Sequence, residues 1–136
     1  MTNTLYIKNE LEQLTRLYEF LNQQTTAYGW EEQLLMQIKL AVEEVVTNVI
    51  LYAYPGKKDQ DIRIDMSLEN GLLTIVITDN GIAFNPLERE EPDISLPMEE
   101  RPIGGLGIYL VKQLMTNVTY TRSSEKNTLT MTKKIH

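Results

Sequence analysis

The longest stretch with a regular apolar pattern runs from residue 34 to residue 54. Its apolar residues recur every three or four positions: Leu34, Ile38, Val42, Val45, Val49 and Ala53. This spacing is typical of a helix that buries one face. We predict that the helix begins near Glu31 and runs to Tyr54, where Pro55-Gly56 ends it.

A strict or weak alternation of apolar and polar residues predicts five strands, over residues 3–8, 61–68, 72–78, 118–121 and 129–132. Asn70-Gly71 lies between the second and third strands and is a strong signal for a two-residue hairpin turn. The last two strands form a second predicted hairpin, which turns near residues 123–127.

Two further helices complete the pattern. One is predicted over residues 10–27 and ends near Gly29, and another of roughly ten residues follows Gly104-Gly105-Leu106-Gly107. The stretch from Asn80 to Pro102 is rich in proline and acidic residues and has no period. It is therefore predicted to be a long connection, which in a compact domain is usually functional or mobile.

Consecutive strands within each hairpin need no long crossover. The order of strand, two helices, hairpin, connection, helix and hairpin predicts an α+β fold. We expect a two-layer sandwich with a mostly antiparallel, mixed sheet and helices on one face.

Composition narrows the classes of function. The 136 residues predict a single domain over 1–136, and the net charge of -6 argues against direct binding to nucleic acid. The chain has no cysteine, and its only histidine is His136, so thiol chemistry and histidine-based catalysis are disfavoured. Neither a signal peptide nor a membrane span is visible, and we expect a cytoplasmic protein.

The first candidate for chemistry lies on the long helix. At about 100° per residue, Glu44 and Asn48 share one flank of the apolar stripe, and Glu43 projects to the opposite flank. A carboxylate at position 44 can accept a proton from an attacking hydroxyl, and the Asn48 oxygen can bind Mg²⁺. Taken alone, the pair is more commonly a solvated helix face.

Two glycine-containing segments add further candidates. Asp79-Asn80-Gly81 follows the third strand, where a carboxylate can accept from an exocyclic amine and Gly81 can let the backbone approach a flat ligand. Gly104-Gly105-Leu106-Gly107 opens a helix, and backbone N–H groups at a helix N-terminus can bind phosphate. Alone, the first segment is plain turn chemistry and the second a hinge.

Together, in this order, these motifs resemble the N, G1 and G2 boxes of the GHKL ATPase superfamily. The boxes correspond to Glu44-x-x-x-Asn48, Asp79-x-Gly81 and Gly104-Gly105-Leu106-Gly107. The short length and the details around the boxes resemble the anti-sigma-factor serine kinases. Three features depart from the family pattern: Leu51-Tyr52 before Ala53-Tyr54, Ala83 after Ile82, and Asn127-Thr128 in place of the usual Gly-Thr.

The resemblance implies a Bergerat, histidine-kinase-like ATPase fold with a role for each matched residue. Glu44 would be the general base and Asn48 would coordinate Mg²⁺ on ATP. Asp79 would bind the adenine amino group, with Gly81 beside it. The remaining matched residues would border the phosphates as part of a lid over about 86–107, with Arg101 within reach of the γ-phosphate: Gly104, Gly105, Leu106 and Gly107.

The resemblance also implies a function and partners. The chain would be an anti-sigma regulatory factor that uses ATP to phosphorylate a STAS-type anti-sigma-factor antagonist and that sequesters a sigma factor. The resemblance also suggests a homodimer. The alternative is a non-catalytic ATP-binding partner switch, in which Glu44 is not needed as a base. A fragment of a sensor histidine kinase is disfavoured because no phosphoacceptor histidine domain is visible, and we expect the chain to be complete at both ends.

Overall fold

A computed structural model describes residues 2–88 and 105–135 of the chain. These described residues form five strands and three α-helices, with short 3-10 turns at Leu11–Gln13 and Pro86–Glu88. In chain order, the elements are β1 (Thr2–Lys8), α1 (Leu14–Tyr28), α2 (Glu32–Tyr52), β2 (Asp61–Glu69), β3 (Leu72–Asp79), α3 (Gly105–Leu114), β4 (Asn117–Ser123) and β5 (Lys126–Lys134).

The strands form one sheet in the order β1-β2-β3-β5-β4, and every pairing among the described residues is antiparallel. Both predicted hairpins are confirmed. Asn70 and Gly71 turn the first with φ of 52° and 76°, as a type I′ turn requires. Ser124 and Glu125 turn the second with φ of 52° and 62°, although neither is glycine.

The core lies on one face of the sheet, where the three helices pack. Alternate residues of β2, β3 and β5 point into it and are almost fully buried: Ile62, Ile64, Met66, Leu73, Ile75, Ile77, Leu129 and Met131. The helices contribute a matching apolar set, in which Ile38, Val42 and Val45 of α2 are fully buried. The predicted α+β two-layer sandwich with helices on one face is therefore confirmed. The expectation of a mixed sheet was wrong, because the described strands are joined by antiparallel, hairpin-type pairings and none of them pairs in parallel.

The long helix α2 ends earlier than its apolar pattern predicted. The helix ends at Tyr52 rather than at Tyr54. Ala53, its C-cap, keeps helical φ and ψ of -79° and -25°, and its N–H donates to the Val49 carbonyl at 3.0 Å. Tyr54 is almost fully buried and its hydroxyl donates to the Asp61 carbonyl at 2.9 Å. The prediction of a helical Tyr54 was wrong because Pro55 follows it, and the residue before a proline is disfavoured in helical geometry.

The predicted connection after β3 is described only in part. Asn85 accepts a hydrogen bond from the Leu87 N–H at 2.9 Å, which caps the 3-10 turn at Pro86–Glu88. Residues 89–104 lie outside the described part of the chain, and so do the predicted site residues Arg101 and Gly104. In the part that the structure describes, no helix is long and apolar enough to cross a bilayer.

Candidate functional site

Helix α2 separates its two adjacent acids, as the sequence predicted. Glu43 faces α1 and accepts a hydrogen bond from the Tyr18 hydroxyl at 2.7 Å. This bond, together with burial and the charge of Glu43, raises the pKa of Tyr18 to about 12. Asn48 is 1% exposed, and its Nδ2 donates to the Glu44 carbonyl at 2.7 Å. That bond assigns the amide nitrogen to the helix backbone and makes Oδ1 the atom suited to a cation.

Glu44 is half-buried on the same flank of α2 as Asn48. Burial raises the pKa of its carboxyl above the ordinary value, and the neighbouring charge of Glu43 raises it further. A carboxylate with a raised pKa is a stronger base at neutral pH than an ordinary glutamate. The environment of Glu44 therefore suits proton abstraction, which is the role that the sequence predicted for it.

Asp79 ends β3 and is only 3% exposed. Its Oδ1 accepts two hydrogen bonds of 2.8 Å, from the Gly81 N–H and from the Asn127 amide nitrogen. Burial raises the pKa of the Asp79 carboxyl, while these two donors and the charge of Arg122 oppose the rise. Among the described residues none donates to Oδ2, so this atom is available to an amino group of a ligand.

Gly81 allows a close approach, but to another part of the protein. A Cβ at this position would lie 2.2 Å from the Ala53 carbonyl oxygen, far inside contact distance. The neighbouring Ile82 N–H donates to the same oxygen at 2.8 Å. The sequence predicted an approach to a flat ligand, whereas the structure gives the glycine a role in docking the segment after β3 onto the end of α2.

The segment after β3 is held by residues that the sequence did not point out. The Tyr54 hydroxyl accepts a hydrogen bond from the Asn80 N–H at 2.7 Å, and Arg122 Nη1 donates to the Gly81 carbonyl at 2.7 Å. These bonds join α2, β3 and β4 around one short stretch of backbone. Their partners are distant in sequence, so no local pattern marks them.

Asn127 is the most connected residue that the sequence left without a role. It lies opposite Asp79 in the β3–β5 register and is 3% exposed. Its phase on β5 is that of the buried Leu129 and Met131. An asparagine in the inward phase of a strand is the signal that could have singled it out, because a buried amide is expected to find hydrogen-bond partners.

The space beside Asp79 is small. A cavity of about 10 Å³, room for roughly one water molecule, lies between α2 and the sheet. It is lined by Val45, Val49, Ile77, Asp79, Phe84, Pro86, Tyr120, Asn127 and Leu129. Phe84 also borders an open groove of about 450 Å³, where its ring meets that of Tyr52 edge to face at 5.6 Å. The space beside Asp79 is therefore too small for a ring as large as adenine unless a lining side chain moves.

Helix α3 begins at Gly105, so Gly105, Leu106 and Gly107 form its first turn. The predicted helix of roughly ten residues is confirmed by its ten-residue length. Binding of phosphate by these glycines stays a prediction. Within residues 2–88 and 105–135, no group of three acidic or histidine side chains could hold a metal ion by itself.

The described part of the chain combines a helix-covered antiparallel sheet, a buried aspartate at the end of β3 and a Glu–Asn pair on the long helix. The chain matches the family of the histidine kinase-like ATPase domain over residues 7–133. It belongs to this family.

Curated relatives share the sequence over part of their length. The serine-protein kinase RsbW of Bacillus cereus is 39% identical over 103 residues, which are 72% of this chain and 62% of the relative. RsbW of Listeria monocytogenes is 30% identical over 94 residues, 66% of this chain and 60% of the relative. The aligned part thus spans about 60% of these relatives.

Solved structures share the fold at lower sequence identity. The RsbU and RsbW domains of Rv1364c from Mycobacterium tuberculosis match 98% of this chain and 32% of that chain, with a TM-score of 0.68 and 14% identity. The histidine kinase domain of the blue-light activated kinase from Erythrobacter litoralis EL346 matches 75% of this chain and 45% of that chain, with a TM-score of 0.56 and 20% identity. Both support the fold assignment.

Proposed function

We propose that the chain binds ATP with Mg²⁺ at the end of β3 and transfers the γ-phosphate to a serine or threonine of a partner protein. The observation that carries the proposal is the Asp79 carboxyl, which is buried, holds two donors on Oδ1 and keeps Oδ2 for a ligand amine. The name of the relatives, serine-protein kinase, supports the transfer step.

Glu44 and Asn48 of α2 are suited to the phosphate end of the proposed ATP ligand. Val45 and Val49 of α2 line the same small cavity as Asp79, which places Glu44 and Asn48 on the helix segment beside it. The oxygen of Asn48 would bind the Mg²⁺ that neutralises phosphate charge. Glu44 would accept the proton of the attacking hydroxyl, and the glycines from Gly104 to Gly107, with Arg101, would hold the phosphates.

The proposed partners follow from the resemblance to the anti-sigma kinases. The phosphate acceptor would be a STAS-type anti-sigma-factor antagonist, and the chain would also sequester a sigma factor. A homodimer and a cytoplasmic location belong to the same proposal. So does a lid over about 86–107, whose central part lies outside the described residues.

The test is a phosphotransfer assay with γ-labelled ATP, Mg²⁺ and the STAS-type protein encoded nearby. We expect phosphoserine or phosphothreonine on that partner with the wild-type chain. The Glu44→Ala variant should bind Mg-ATP normally and transfer about 1,000-fold more slowly, the usual loss when a general base is removed.

Glu43→Gln is the matched control, because it changes the adjacent acid on the other flank of α2. Transfer that survives Glu44→Ala unchanged would overturn the assignment of the base. ATP binding without transfer by the wild-type chain would instead support the alternative, a non-catalytic partner switch. Absence of ATP binding would contradict both.

A further inference from the structure

The carboxamide of Asn127 uses its whole hydrogen-bonding capacity. Its Nδ2 donates to Asp79 Oδ1 at 2.8 Å and to the Ile82 carbonyl at 2.7 Å. Its Oδ1 accepts from the Phe84 N–H at 3.3 Å and from the Tyr120 hydroxyl. Two donors and two acceptors are all that an amide side chain offers.

These partners also determine which way the amide points. If oxygen and nitrogen were exchanged, the oxygen would face the Asp79 carboxylate and the Ile82 carbonyl, and the nitrogen would face the Phe84 N–H. All three contacts would be repulsive, because like groups would meet at a buried site. The hydrogen-bond partners of Asn127 therefore allow only one of the two orientations of its amide.

The fixed orientation has a consequence for Asp79. Asn127 and Gly81 both donate to the same oxygen, Oδ1, so a carboxyl turned out of its present plane would lose both bonds. Oδ2 is thereby held as the acceptor that remains for a ligand. The same amide also bonds to the Ile82 carbonyl and the Phe84 N–H. It therefore holds the backbone of residues 82 and 84 in place beside the Asp79 carboxyl, where the nucleotide base would bind.

We propose that Asn127 is a positioning residue for recognition of the nucleotide base, which makes the site prefer a purine that carries an amino group over one that carries a carbonyl. The inference rests on the proposed ATP site and goes beyond it, because it assigns base selection to an amide on β5 that acts through Asp79. Tyr120 belongs to the same hydrogen-bond network, because its hydroxyl donates to the Asn127 oxygen.

The test compares binding of ATP and of inosine triphosphate by calorimetry. Inosine triphosphate keeps the ribose and phosphates but has a carbonyl where adenine has its amino group. The wild-type chain should prefer ATP by at least about 10-fold, the value of one hydrogen bond to a charged group. Asn127→Asp keeps the shape but turns the donor that faces Asp79 into an acceptor, and should reduce the preference to within about threefold.

A purely structural role for Asn127 would give a different result. Loss of fold would weaken ATP and inosine triphosphate equally, whereas loss of positioning should weaken ATP and leave inosine triphosphate unchanged. Tyr120→Phe serves if Asn127→Asp does not fold, because it keeps the ring and removes only the hydroxyl. It should lower the preference for ATP by about threefold, in line with one neutral hydrogen bond.

Two matched changes serve as controls. Asn117→Asp makes the same chemical change at an exposed position on β4, and Tyr6→Phe removes an exposed hydroxyl on β1. Neither should alter the preference. A full ATP preference in Asn127→Asp, or equal wild-type affinity for the two nucleotides, would overturn the inference and leave the ATP site standing. Failure of the wild-type chain to bind either nucleotide would instead overturn the proposed function.

Discussion

The two ends of β3 border two different cavities. At the Gly71 end, a cavity of about 490 Å³ is lined by Tyr28, Gly29, Trp30, Glu31, Leu34, Leu68, Gly71 and Ile135. At the Asp79 end, the space between α2 and the sheet is only about 10 Å³. The larger cavity is therefore far from the residues that could perform chemistry.

Buried polar residues, unlike cavity volume, are concentrated near the Asp79 end of β3. The described part of the chain buries four polar residues, and two of them, Asp79 and Asn127, line the small cavity, while a third, Asn48, lies on the neighbouring stretch of α2. Burying such groups is costly unless they are hydrogen-bonded. The comparison teaches that the proposed site is set apart by its buried, hydrogen-bonded polar side chains, which the cavity of about 490 Å³ lacks.

The largest expected effect is on ATP affinity, in a comparison of acid-to-amide changes at the two ends of β3. Asp79→Asn should weaken ATP binding by about 1,000-fold, because it removes a charge-assisted bond and turns a donor toward the adenine amine. Glu31→Gln, in the larger cavity, should leave the affinity within about twofold. Calorimetric titration measures both, and similar losses in the two variants would contradict the comparison.

Two glycine changes should differ in their cost to folding. Gly81→Ala places a Cβ 2.2 Å from the Ala53 carbonyl oxygen, so the segment after β3 must move, at about 2 kcal/mol. Gly29→Ala meets no atom within 4 Å, and only its φ of 67° is unfavourable, at about 1 kcal/mol. Urea unfolding gives both values, and a Gly29→Ala variant that loses more stability would reverse the order.

The pH dependence of stability should separate Asp79 from an ordinary surface acid. Its raised pKa means that the ionised carboxylate costs the folded state free energy. Below about pH 3 the carboxyl is protonated in both folded and unfolded chains, and the cost vanishes. It grows as the pH rises through the ordinary and then the raised pKa.

Asp79→Asn lacks this titration and keeps an oxygen for the Gly81 and Asn127 donors. Its melting temperature relative to the wild-type chain should therefore rise from acid to neutral pH. A relative gain for Asp79→Asn that is greatest in acid would contradict the sign of the shift.

The smallest expected effect concerns the two flanks of α2. Glu43→Gln removes the like charge that contributes, after burial, to the raised pKa of Glu44. The acid limb of the transfer rate should therefore move to lower pH, with little change in the rate at neutral pH. Glu19→Gln on α1, an exposed acid, is the control. A shift to higher pH would show that Glu43 does not act through its charge.

The sequence predicted the features that depend on local pattern. The Asn70-Gly71 turn, the buried face of α2 and the separation of Glu43 from Glu44 all follow from periodicity or turn chemistry. Contacts between distant segments did not follow. The Tyr54 hydroxyl bonds to the Asp61 carbonyl and the Asn80 N–H, and Gly81 is needed because Ala53 lies against it. Such contacts require the three-dimensional arrangement, which no local pattern contains.

Trp30, the only tryptophan of the chain, contacts the Tyr28 ring at 4.8 Å at the end of the molecule away from Asp79. An adenine ring at the end of β3 would therefore lie too far away to quench its fluorescence by contact. The intrinsic emission should report unfolding while staying constant during a nucleotide titration. Calorimetry can then give the nucleotide affinity while tryptophan fluorescence of the same sample reports whether the fold is intact.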